Sequence, residues 1–162
     1  MQAKDVITQV FEMGNTITRS YVDDLNDADL LVRSVPAANH IAWQLGHMIN
    51  STNHMLTGLG HAAPNLPASF AEAYTKETSK SDDPARFASH AQYTALLDQT
   101  KSAVLAAIAA TPEGALDQPG PEAMRDYAST VGAVLTLMGQ HWLMHAGQFV
   151  PIRRKLGKGP LF

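Results

Sequence analysis

Apolar residues recur along this chain at steps of three and four, and the alternation expected of strands is hard to find. Between Ala3 and Leu25 the positions Val6, Ile7, Val10, Phe11, Ile17, Tyr21 and Leu25 follow that helical rhythm, which predicts one amphipathic helix. Pro36 stops any helix upstream of it. A second helix is expected to start near Asn39, a good N-cap residue, and to run through Ile41, Leu45, Met48, Thr52 and Met55 until Gly58 and Gly60 end it. His61 to Ser69 contains two prolines and reads as loop, and a short helical turn is expected from Ser69 to Lys76. A third helix is expected from Pro84, capped by Asp83, to Ala110, with Phe87, Tyr93, Leu96, Leu97, Val104, Leu105 and Ile108 as its apolar stripe. A loop from Thr111 to Asp126 precedes a fourth helix from about Ser129 to Leu156, terminated by Gly157. Pro151 lies inside that last helix and is expected to bend or break it.

Four long helices joined by such loops define an all-α fold, a helical bundle; the order of up and down strokes is not readable from spacing. The 162 residues suit a single domain spanning 1–162, with no internal repeat and no linker that divides it.

Composition narrows the function classes. Apolar residues make up 45% of the chain, enough for one sizeable core, and charged residues only 17%, which points to some surface covered by a partner subunit. The net charge of −3 gives no field that favours nucleic acid. The basic cluster Arg153, Arg154, Lys155 and Lys158 reads as cations in a last helical turn, offsetting the helix dipole. The absence of cysteine excludes thiolate metal sites, disulfides and a cysteine nucleophile, and fits a cytoplasmic location. The first residues form no apolar signal core, and no stretch reaches the roughly 18 apolar residues of a membrane span.

Candidate chemistry lies in the seven histidines. His141 and His145 are four apart, which on a helix places them on one side about 6 Å apart, able to grip one metal ion. Trp142 occupies the place of the glutamate in HExxH, so a metalloprotease of that type is not expected. From Met138 to His141, His145 and Phe149 the steps are three, four and four, so the pair sits in the apolar stripe of the fourth helix. Two unpaired imidazoles buried there are costly, and a metal ion satisfies both; core histidines bonded to backbone or to Gln140 and Gln148 are the alternative. For a third ligand the second helix offers His40, His47 and His54, seven apart and drifting only ~20° per step along one face. Neighbours in that row stand ~10 Å apart along the axis, so one ion cannot easily take two. Mid-helix position favours His47; His54 is the next choice, or a residue at a pocket mouth able to carry protons. His61 and His90 read as loop and surface residues.

The stretch Asn39-His40-Ile41-Ala42-Trp43-Gln44-Leu45-Gly46-His47, with His141-Trp142-Leu143-Met144-His145-Ala146-Gly147-Gln148 far downstream, resembles the DinB/YfiT-like superfamily of helical metalloproteins. This DinB is the damage-inducible helical protein, not the polymerase of the same name. The resemblance covers nearly the whole chain. It implies a four-helix bundle of up-down-down-up type and a divalent metal (nickel, zinc, iron or manganese) held by His47, His141 and His145. It also implies a homodimer. Some such relatives are transferases or isomerases that use a low-molecular-weight thiol such as bacillithiol, mycothiol or glutathione.

Three neutral histidines leave a coordination position open, which suits a metal-dependent enzyme acting on a small electrophile by thiol transfer or hydrolysis. Gln148 and Asn50 are candidates for contacts around the ligands. No general base is evident: Asp82, Asp83, Glu113 and Glu122 fall in loops. The competing classes are a metal-binding or stress-response module without turnover, and a metal-free bundle.

Overall fold

The computed structural model describes residues 1–159 and 161 and is all-helical. Its helices are α1 (Ala3–Val22), the single turn α2 (Asp27–Leu30), α3 (Ile41–Gly58), α4 (His90–Ala110) and α5 (Val131–Lys155). Short 3-10 turns fill the loops, among them Ala71–Tyr74, Thr78–Lys80 and Pro84–Arg86.

Cross-helix contacts fix the directions of the four long helices. Lys4 donates to the Ala109 carbonyl and Arg19 to that of Thr94, so α1 and α4 run antiparallel. Phe11 packs on Trp142 and Arg153 donates to the Tyr21 carbonyl, so α1 and α5 run parallel. Trp142 donates to Thr52 and His145 to Gln44, so α3 opposes α5. The bundle is therefore up-down-down-up. Two parallel helices, α1 and α5, can lie together because a long excursion separates them in sequence.

Their contact is close because both helices place glycine at it. A Cβ at Gly139 would stand 2.8 Å from the Phe11 Cα, and one at Gly14 would stand 2.8 Å from the Gly139 carbonyl oxygen. Around this seam Phe11, Leu45, Met48, Ile49, Leu97, Val134, Leu135, Met138 and Phe149 are buried completely. Trp142 is buried with them, between α1 and α3 of the same chain.

Several features differ from expectation. His40, not Asn39, caps α3: its Nδ1 accepts from the Trp43 amide at 3.0 Å while its Nε2 donates to the Ser81 carbonyl. Pro84 starts only a 3-10 turn, in which the Asp83 side chain accepts from the Ala85 amide. Phe87 then turns extended to set its ring edge on His40, and α4 begins afresh behind Ser89, which forms a capping box with Gln92. Pro151 does not break α5, which continues to Lys155. Arg153 is not a solvated dipole cation. Its side chain is buried, and its guanidinium pairs with Asp24 at 2.5 Å, tying the end of α1 to α5. Val6 is exposed rather than part of the core. Among the described residues, no helix is long and apolar enough to cross a membrane.

Candidate metal centre

The centre is built where the middle of α3 faces the middle of α5. His47 projects from α3, and His141 and His145 project from successive turns of α5. Ligand-capable nitrogens of the three rings lie within 4.8 Å of one another, and no other such cluster occurs among the described residues. The Nε2 atoms of His141 and His145 are 3.0 Å apart. Two imidazole nitrogens bound at ~2.0–2.1 Å to a tetrahedral zinc ion stand ~3.4 Å apart, so the gap is already within a few tenths of an ångström of a chelating pair.

The surroundings of each ring decide what its nitrogens can do. His145 is buried, and its Nδ1 faces the Gln44 side-chain oxygen at 2.9 Å and that of Gln148 at 3.2 Å. The Gln44 amide nitrogen donates to the Asn39 carbonyl at 2.8 Å, which turns the amide oxygen toward the ring. Both oxygens can only accept, so the His145 proton sits on Nδ1 and the Nε2 lone pair points into the cluster. His47 is fixed differently. The Trp43 indole lies on its ring face, centroids 4.9 Å apart and planes 7° from parallel, and the indole N–H donates to the Thr75 carbonyl at 3.0 Å. Gly46, next to His47, leaves room for Tyr74: a Cβ there would fall 2.0 Å from the Tyr74 ring. The Nδ1 of His141 is buried without a hydrogen-bond partner, and its Nε2 is the nitrogen that faces His145.

Burial makes all three rings poor bases. It pushes His145 down to about 3, helped by the proximity of His141 and His47. It pushes His141 down to about 4, helped by His47, and lowers His47 as well. At neutral pH the three are uncharged, the form in which imidazole ligates a cation. The donor set is three neutral nitrogens with no carboxylate, which fits a divalent transition ion and leaves part of its shell free.

A cavity of about 470 Å³ opens against His47 and His141. Asn50, Ser51, His54, Met55, Tyr127 and Leu137 form its remaining walls. His54 is exposed at the rim, as its seven-residue step from His47 suggests, and stays outside the cluster. His40 is taken up in capping α3. His61 pairs with Thr111, and His90 donates to the Val22 carbonyl. Asp82 pairs with Arg33 and Asp83 caps a turn, so neither takes part. Sequence reasoning named Gln148 and Asn50 but passed over Gln44, Trp43 and Tyr127. Gln44 had a readable signal: it is a polar residue set among Ile41, Ala42, Trp43 and Leu45, one turn before His47.

An up-down-down-up bundle that gathers three imidazoles from its second and fourth long helices, beside an open cavity, defines a class of helical proteins with one candidate cation site. Residues 11–149 match the model of the DinB superfamily, and the chain belongs to that family. Among solved structures it is similar to YfiT from Bacillus subtilis, a probable metal-dependent hydrolase with an unusual four-helix bundle topology. That similarity spans 96% of this chain and 89% of the other, at a TM-score of 0.64 and 19% sequence identity, and it carries the fold. No curated protein matches the sequence.

Proposed function

We propose that this protein is a metal-dependent enzyme in which His47, His141 and His145 hold one divalent transition ion and promote attack on a small electrophile. The observation that carries this reading is the convergence of three neutral ring nitrogens beside a cavity large enough for a small molecule. The description of YfiT as a probable metal-dependent hydrolase supports the same reading and favours water as the nucleophile. A low-molecular-weight thiol is the other nucleophile compatible with the site. A divalent ion supplies Lewis-acid chemistry when bound, bringing the pKa of water or a thiol toward neutrality.

The protein's own residues prepare the site. Gln44 and Gln148 hold His145 in the tautomer that frees Nε2, and Trp43 holds the plane of His47. Met55 and Leu137 give the cavity an apolar side against which a substrate can shed water. Asn50, Ser51 and Tyr127 offer hydrogen bonds that orient it. His54 and Tyr127 are the titratable lining groups besides the ligands, and the rim position of His54 suits proton exchange with solvent. Nickel, zinc, iron and manganese all suit such a site, with availability deciding among them. Pairing with a second copy of the chain belongs to the same reading, supported by the low content of charged residues.

The test is turnover by the metal-loaded protein of uncharged esters, amides and chlorinated electrophiles, with water alone and with several small thiols. Activity above a His47→Ala control supports an enzyme, and its thiol dependence assigns the nucleophile. A metal-loaded protein with no turnover above that control is instead a metal-binding module.

A further inference from the structure

We propose that the cavity beside the histidine cluster selects substrates without formal charge: small acyl-type compounds whose apolar arm lies on Met55 and Leu137 and whose polar atoms meet Asn50, Ser51 and Tyr127. This rests on the metal-site reading and goes beyond it, because it concerns the walls of the cavity rather than its base.

The argument is one of charge and partners. Among the described residues, none that lines the cavity is Lys, Arg, Asp or Glu. A charged group carried into such a space gives up water and finds no counter-ion in the walls. The arginines that might have supplied one are committed elsewhere. Arg33 pairs with Asp82 and donates to three carbonyls, and Arg153 pairs with Asp24. Arg125 comes just before Tyr127 in sequence, but its Nε donates to the Gly120 carbonyl and its side chain is not part of the wall. A ring that lends a nitrogen lone pair to the ion carries no proton there and no charge of its own, so any positive charge at the base belongs to the ion. That charge attracts one ligating head group, and the remainder of the substrate faces amide, hydroxyl and hydrocarbon, with the His54 imidazole at the rim.

In a hydrolytic turnover the step is balanced without any charged side chain. A water oxygen forms a bond to the carbonyl carbon and the bond from that carbon to the leaving nitrogen or oxygen breaks. The proton lost by water ends on the leaving group. Small thiols that carry several carboxylates are poorly matched to the same walls, so the inference also ranks water above them as nucleophile.

The test uses two probes with one metal-seeking head: benzohydroxamic acid and its 4-carboxy analogue, titrated calorimetrically into zinc-loaded protein. The uncharged probe is expected to bind ~10-fold or more tightly than the carboxylate. Ser51→Lys, which places an ammonium in the wall, is expected to narrow or reverse that preference. Equal or tighter binding of the carboxylate by the wild type overturns the inference, as does failure of both probes on protein shown to hold zinc. Protein that takes up none of zinc, nickel, iron and manganese overturns the metal-site reading itself, a distinguishable result; protein that takes up another of these in place of zinc is titrated with that ion bound. Should Ser51→Lys fail to fold, Leu137→Lys, on the opposite helix, asks the same question.

Discussion

The indole of Trp43 lies flat on the imidazole of His47, with planes only 7° apart, while its N–H is tied to the Thr75 carbonyl. One side chain thus links a candidate ligand to the loop after the turn Ala71–Tyr74, so that loop order and ligand orientation are coupled. Trp43→Leu keeps an apolar residue in the core but removes both the stack and the tie. It is expected to weaken metal binding by ~10-fold, as loss of supporting contacts around ligands does, with the helical circular-dichroism spectrum unchanged. Competition with a colorimetric chelator measures this. Affinity equal to wild type would show that the stack does not position His47.

Gln44 acts on His145 in the same sense by a hydrogen bond. Its oxygen accepts from Nδ1 and its nitrogen is anchored on the Asn39 carbonyl. Gln44→Leu is expected to lower metal affinity ~10- to 100-fold, because the ring loses the contact that sets its tautomer. Gln44→Glu, which still accepts, is expected to retain more affinity than the leucine variant. The same chelator competition ranks the three proteins, and equal losses in both variants would contradict the assignment.

The seam between α1 and α5 predicts an asymmetric response to alanine. At Gly139 a Cβ would meet the Phe11 Cα and N at 2.8 Å and the Val10 carbonyl carbon at 2.9 Å, all backbone atoms that move only with their helix. Gly139→Ala is expected to destabilise by ~1–3 kcal/mol or more, through overpacking. Gly147, on the same helix, has open space where its Cβ would be. There alanine is expected to stabilise by ~0.5–1 kcal/mol through helix propensity. Urea midpoints of the two variants check both signs.

Asp24 and Arg153 predict an acid limb of stability. The guanidinium beside Asp24, with Lys158 nearby, holds its carboxyl down at about 2. In the unfolded chain the same group titrates near ~3.9, so between these values the unfolded state binds more protons and acid favours unfolding. The contribution is complete above pH ~4 and is lost as pH falls through about 2. Asp24 is half exposed, so solvent screening makes this smaller than the shift alone implies. Asp24→Asn is expected to lower the urea midpoint at pH 7 and to differ less from wild type at pH 3. A difference that does not shrink on acidification would contradict the pairing.

Much of this architecture was legible in the pattern of apolar positions. The extents of α1, α3 and α5 followed from periodicity to within a few residues, with Gly58 and Gly157 marking the ends of α3 and α5. Where local reading failed, a distant contact had won. His40 replaced Asn39 as cap because Ser81 takes its other nitrogen, and Phe87 left the expected third helix to pack on that same ring. The parallel placing of α1 and α5 depends on Gly14 meeting Gly139, a match across the whole chain that spacing cannot reveal. Within the site, the pair His141 and His145 declared itself by a four-residue step, and the structure brings His47, rather than His40 or His54, to it. The supporting contacts from Gln44 and Trp43 arise only once α3 is laid against α5 and the loop beyond it.

The most direct test of the central claim is elemental analysis of protein produced without an affinity tag, as wild type and as His145→Ala. The account predicts about one equivalent of a transition metal per wild-type chain and a large loss in the variant, both remaining helical. Wild-type protein that stays metal-free when offered nickel, zinc, iron and manganese, or a variant that keeps its full equivalent, would contradict it.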